Sequence, residues 1–238
     1  MNSTFKENYL NINNYHKIAM KYNYEIFSAD YKDYNINIWG IRNKERKAGK
    51  FDDLMVLFWK YNGVWTQEVF TITTDPSDIS LINMKNPLGT GIIKEGQYKG
   101  LWKKGLHKGD VSHPALVQAK PVTVIRDFNK DGFLNIPNVK DIRPDRINTY
   151  QIQGGIVKDY IVNNIVVYRE HTLNGGFNCH RASKYQLLQS VGLYSEGCQV
   201  HQSYSRFMSE FLPTIDEAIR SWGNSFSYTL VNEERFYE

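Results

Sequence analysis

The sequence predicts a mainly β fold with flanking helices, α+β in class, on three observations. Between Asn35 and Tyr168, six short apolar runs have the length and composition of strands, and most are bounded by Gly, Pro, Asn or Asp. Two of these runs flank Tyr61-Asn62-Gly63, a tight-turn signal, because Asn and Gly tolerate the positive φ that a two-residue hairpin demands. Near the C-terminus the period changes. Tyr204, Phe207, Met208 and Phe211, then Ile215, Ala218, Ile219 and Trp222, recur at the spacing of one helix face.

Residues 1–34 are rich in Asn and Tyr, with Leu10, Ile12, Ile18 and Met20 scattered among them, and read as an arm or one or two short helices. Residues 35–238 form the main domain. Its strands are expected over residues 36–41, 54–59, 64–72, 115–118, 122–125 and 161–168. Helices are expected over residues 203–212 and 214–222. Pro213 separates them, and Thr214 with Glu217 forms a capping box for the second.

With 238 residues, 41% of them hydrophobic, the chain fills one ordinary core. Its net charge of +4, from 29 basic and 25 acidic side chains spread along the chain, is too mild to argue for nucleic acid. Two cysteines, Cys179 and Cys198, exclude a disulfide framework. The N-terminus has no apolar core of signal-peptide length, and no run approaches the roughly 18 apolar residues of a membrane-spanning helix.

Chemistry concentrates in His180-Arg181-Ala182 and Ser195-Glu196-Gly197-Cys198. Residues 175–181 read as a strand leaving a glycine turn, so Cys179 and His180 face apart and only one of them meets Cys198. Histidine is the group that accepts a thiol proton near neutral pH. Gly197 lets the chain turn sharply and brings peptide N–H groups near a carbonyl oxygen under attack. The Ser195 hydroxyl orients either the base or the turn. Arg181 is a carboxylate clamp or a surface ion pair. Against this stand an inert buried thiol beside a core histidine, and a zinc set of Cys179, His180, Cys198 and His201. The zinc set is disfavoured because adjacent strand residues do not share an ion.

The chemistry requires no cofactor. Asp127, Asn129 and Asp131, with Gly132 at the sixth position, match the start of a calcium loop, but Asn138 stands where a bidentate glutamate belongs, so an ordinary turn competes with Ca2+. His107 and His113 read as groove or loop residues. Tyr98, Trp102 and Tyr194 are candidates for sugar stacking or for the core.

The His180 to Cys198 segment resembles the catalytic motif of the L,D-transpeptidases of the YkuD type, in which a histidine precedes a Ser-His-Gly-Cys sequence by a similar spacer. The likeness runs from about Asn35 to Met208. Upstream, Thr73-Thr74-Asp75 and Asn86-Pro87-Leu88-Gly89-Thr90-Gly91 resemble the family's turns. It looks similar to the bacteriophage and prophage branch through Gly96-Gln97-Tyr98, His107-Lys108-Gly109, the Arg126 to Asp131 stretch, His180-Arg181-Ala182 and Ser195-Glu196-Gly197-Cys198-Gln199-Val200.

The resemblance implies a β-sandwich or barrel core with C-terminal helices. It implies Cys198 as nucleophile, His180 as base, Gly197 and Ser195 as the catalytic turn, and Arg181, Glu196 and Tyr98 as substrate-binding residues. The implied substrates are peptidoglycan stem peptides, attacked to give a Cys198 thioester that passes to an amine or to water. A phage enzyme of this kind is made in the host cytoplasm, then carried with other virion proteins or released to the cell wall. Glu196 replaces the usual histidine, and Val200 stands where an arginine commonly follows the cysteine. The alternative is a non-catalytic virion structural or wall-binding module that keeps the fold.

Overall fold

A computed structural model describes residues 8–108, 112–134, 141–152 and 154–238. In chain order, α1 (Ile12–Tyr22) precedes β1 (Asn37–Arg42), β2 (Asp53–Tyr61), β3 (Val64–Thr73), the short α2 (Asp78–Ile82), β4 (Gly91–Ile93), β5 (Gly96–His107), β6 (His113–Gln118) and β7 (Val122–Arg126). Then come β8 (Arg146–Ile152), β9 (Gly155–Val162), β10 (Ile165–Leu173), β11 (Cys179–Arg181) and β12 (Gln199–His201). The chain ends in α3 (Tyr204–Arg206), a π-helical turn (Phe207–Phe211), α4 (Leu212–Trp222), β13 (Phe226–Asn232) and a 3-10 turn (Glu233–Phe236).

Eight strands close into a barrel in the order β1-β13-β5-β6-β11-β12-β3-β2, and five more form a second sheet, β4-β7-β10-β9-β8. The fold is therefore mainly β with a C-terminal helix. Closure satisfies the strand edges that an open sheet would leave unpaired. Its core is apolar and aromatic, with Met55, Phe70, Trp102, Leu116, Phe211 and Tyr228 among the fully buried side chains. Residues from the expected N-terminal arm supply α1. Tyr15 lays its ring 5.1 Å from Trp39 and 4.8 Å from Phe58, so the helix is docked by a second apolar cluster on the barrel.

The Asn62-Gly63 hairpin forms where the sequence places it, with φ of 50° and 76° at the two residues and Tyr61 opposite Val64. The run expected over 161–168 is not one strand. Asn163 and Asn164 take φ of 50° and 64° and fold it into the β9–β10 hairpin, with Val162 opposite Ile165.

The expected helix break at Pro213 is also corrected. Helical backbone runs on through it, and the turn just before it widens, with the Leu212 N–H donating to Phe207 O five residues back. Proline has no N–H to offer the normal α ladder, and a π turn absorbs that deficit without a break. Thr214 consequently caps nothing. Its hydroxyl donates to the Glu68 carboxylate at 3.1 Å, and Glu217 pairs with Arg220.

The turn after β3 supports the residues before Cys198. Arg42 Nε lies 3.3 Å from the Asp75 carboxylate and donates to Thr74 Oγ1 at 2.8 Å, while the Thr74 N–H donates to Asp53 at 2.6 Å. Arg42, Asp53 and Asp75 are all buried, and the Arg42–Asp75 pair and the hydrogen bonds to Asp53 reduce the cost of taking charge out of water. Among the described residues no helix is long and apolar enough to cross a membrane.

Candidate active site

β11 and β12 run parallel as barrel neighbours, with Cys179 opposite Gln199, His180 opposite Val200 and Arg181 opposite His201. The Gln199 N–H donates to Asn178 O at 2.9 Å and extends the pairing one residue upstream, to the level of Cys198. Alternation then sorts the side chains. Cys179 and Gln199 face the barrel interior, where the Cys179 thiol contacts Met55 Sδ at 3.9 Å and Gln199 accepts from the Tyr228 hydroxyl. His180 and Cys198 share the other face. Burial pushes the Cys179 thiol well up, and that residue has no part in the site.

The His180 ring is 2% exposed, and its Nδ1 lies 2.9 Å from Arg181 O. A carbonyl only accepts, so Nδ1 carries the proton and Nε2 holds the free lone pair. Burial, with His107 and His113 adding like charge, pushes the ring down to about 3, so it is neutral near pH 7.

Cys198 is half-buried, and its thiol points to Gly176 O at 3.5 Å. Burial pushes it up to about 11. The Asn178 N–H favours the thiolate, and the Glu196 charge opposes it. At rest Cys198 is therefore the thiol and His180 the neutral imidazole, and among the described residues no hydrogen bond joins the two.

Gly197 is required where it stands. Its φ is +116°, and a Cβ there would sit 2.1 Å from Gly91 O. The turn is stapled by Ser195, which is fully buried. Its hydroxyl accepts the Gly197 N–H at 3.1 Å and lies 3.1 Å from Asp75 O and 3.0 Å from Cys198 O. The Ser195 carbonyl in turn accepts from Ser77 N–H at 3.0 Å and Ser80 Oγ at 2.9 Å. Ser195 therefore bonds to the turn and not to His180. The expectation of oxyanion donors around Gly197 is corrected in one respect, because the Gly197 N–H is already spent on Ser195.

Arg181 is 8% exposed, donates to Ala182 O at 2.7 Å and places its guanidinium 5.3 Å from the Tyr204 ring centre. It makes no ion pair among the described residues, and it is buried rather than on the surface. Glu196 is exposed and pairs with Lys85.

Tyr98 does not belong to this site. Its hydroxyl lies within hydrogen-bond distance of Lys94 O (2.7 Å) and Thr123 O (3.1 Å), and its ring packs on the core. It stands at the opposite end of β5 from His107, which does reach the site. Trp102 is likewise core, fully buried with its indole N–H donating to Phe177 O at 2.8 Å. Tyr194 is 39% exposed.

The zinc set is split, because Cys179 lies inside the barrel and His201 is packed 4.5 Å from Phe211 and 4.9 Å from Phe207. Among the described residues, no group of three or more His, Cys, Asp or Glu is placed to hold a metal ion. In the calcium-like stretch, Asp127 is buried. Asp131 accepts from the Phe133 N–H at 2.9 Å and from Asn129 Nδ2 at 2.8 Å, with Gly132 at φ +81°, which is a closed turn. Asn135 and Asn138 lie outside the described residues.

His107, read from the sequence as a groove or loop residue, reaches the candidate site, and so does Asn178, which the sequence did not single out. His107 lies opposite His113 across β5–β6 and stacks on His180 at 4.0 Å between centroids. The two histidines flanking Lys108-Gly109-Asp110 in the sequence were the available signal. Comparison with protein-family models, with curated proteins and with solved structures finds no match to this chain.

Proposed function

We propose that this chain is a cysteine acyltransferase or peptidase of the L,D-transpeptidase type, phage-encoded and acting on peptidoglycan stem peptides at the host wall. One observation carries the chemistry: Cys198 follows an obligatory glycine on the same strand-pair face as His180, whose Nε2 is the free base nitrogen. The residues quoted for the resemblance carry the substrate.

Cys198 Sγ attacks a stem-peptide carbonyl carbon while its proton passes to His180 Nε2, and the carbonyl electron pair moves onto oxygen. Because the thiol is pushed up to about 11, proton transfer accompanies attack rather than preceding it. The Cys198 N–H is the turn's donor for the oxyanion. Collapse breaks the carbon–nitrogen bond, and His180 returns its proton to the leaving amine. The thioester then passes to an amine, forming a cross-link, or to water, completing hydrolysis. Arg181, buried and without a carboxylate partner among the described residues, supplies a clamp for a stem carboxylate.

The raised thiol favours a second reading, a wall-binding or virion structural module without turnover. Mass spectrometry of defined tetrapeptide and cross-linked muropeptides, with Cys198→Ala as control, separates the two. Cys198-dependent cross-links, shortened stems or separated dimers support the enzyme. Unchanged muropeptides with folded protein support the module.

A further inference from the structure

His180 is covered on one face by a second histidine. The His107 ring lies flat on it, with centroids 4.0 Å and planes 17° apart, and His113 meets it edge-on at 5.8 Å. A short hydrogen-bond chain fixes the proton on His107. The Gln118 N–H only donates, so the Asn178 atom it meets at 2.8 Å is Oδ1. Asn178 Nδ2 therefore donates to His107 Nδ1 at 3.0 Å, and the neutral His107 ring carries its proton on Nε2. A second proton, on Nδ1, would point at the Asn178 donor. The amide cannot turn to accept it without losing the Gln118 bond.

We propose that His107, locked in its neutral form by Asn178, is a positioning residue for the base. It holds the His180 ring with Nε2 free, and its protonation switches the site off. The role rests on the proposed function, in which His180 carries a proton during the reaction. A neutral imidazole face accommodates that transient cation, whereas an imidazolium at the same 4.0 Å repels it. Among the described residues, burial and then the charged neighbours His113 on β6 and Arg181 on β11 all disfavour a His107 imidazolium, and His180 on β11, stacked on the same ring, is a further potential cation.

Asn178→Asp tests this. It keeps an acceptor for Gln118 and gives His107 a carboxylate that favours its imidazolium. The acid limb of kcat/KM is expected to move up by roughly one pH unit or more, with the alkaline plateau retained. Adding His107→Phe keeps a flat ring that takes no proton and is expected to restore the wild-type limb. An unshifted Asn178→Asp profile, or a limb that stays shifted in the double variant, overturns the proposal. Nitrogen-15 NMR of the histidines in Cys198→Ala provides a readout free of turnover. The expected spectrum shows His107 protonated at Nε2 and His180 at Nδ1 near neutral pH, and His107 protonated at Nδ1 overturns the proposal. If the expected tautomers are found in a protein that leaves muropeptides unchanged, the proposed function fails while the lock stands.

Discussion

At the level of single residues, the candidate site holds Cys198 as a neutral thiol and His180 as a neutral imidazole. At a thiol value of about 11, only about one Cys198 in ten thousand is thiolate at pH 7. Alkylation of Cys198 is therefore expected to rise about tenfold per pH unit through neutrality, and a plateau below pH 8 would contradict this. Gly197→Ala forces a Cβ against Gly91 O at a backbone angle that L residues avoid. It is expected to cost about 1–3 kcal/mol in strain alone and to abolish turnover, read by thermal unfolding and muropeptide assay. Ser195→Ala leaves the Gly197 N–H buried without its acceptor, at a cost of about 1–3 kcal/mol. His180, Gly197 and Cys198 were legible because their types and spacing are local facts. His107 was legible only as one of two alternatives, groove or loop, since its contact with His180 exists only once β6 pairs with β11 and brings the end of β5 across.

The same division holds among elements. Asn62-Gly63 announced its hairpin because both residues favour left-handed backbone. Asn163-Asn164 does the same work with a weaker signal inside an apolar run, and it was missed. Short β11 and β12 have too few residues to show a period, and parallel pairing across the intervening loop leaves no local trace. At Pro213 local chemistry pointed to a stop, yet Phe207, Phe211 and Ile215 are all fully buried and hold the helix through the proline. Phe211→Ala is expected to destabilise by about 3–5 kcal/mol in denaturant unfolding. Thr214→Val, which loses only the bond to Glu68, is expected to cost about 1 kcal/mol.

For the whole molecule, barrel closure brings the buried Arg42, Asp53 and Asp75 network under the turn that staples Ser195, so fold and site share one support. Burial, with the charge on Asp75, pushes Asp53 up to about 7, above its ordinary value of 3.8. The native state therefore holds that proton more tightly than the unfolded chain. Its contribution is complete below about 3.8 and is lost as pH rises through about 7. Stability is expected to fall across this window, and Asp53→Asn to flatten the slope in unfolding at several pH values. An unchanged slope would remove Asp53 as the cause. Whether Cys198 carries an acyl group is read by acid-quenched intact-protein mass spectrometry after incubation with a defined tetrapeptide muropeptide. The predicted result is an adduct of the stem acyl group that maps to Cys198 and is absent from Cys198→Ala. An adduct that persists in Cys198→Ala, or folded wild-type protein with neither adduct nor product, would contradict it.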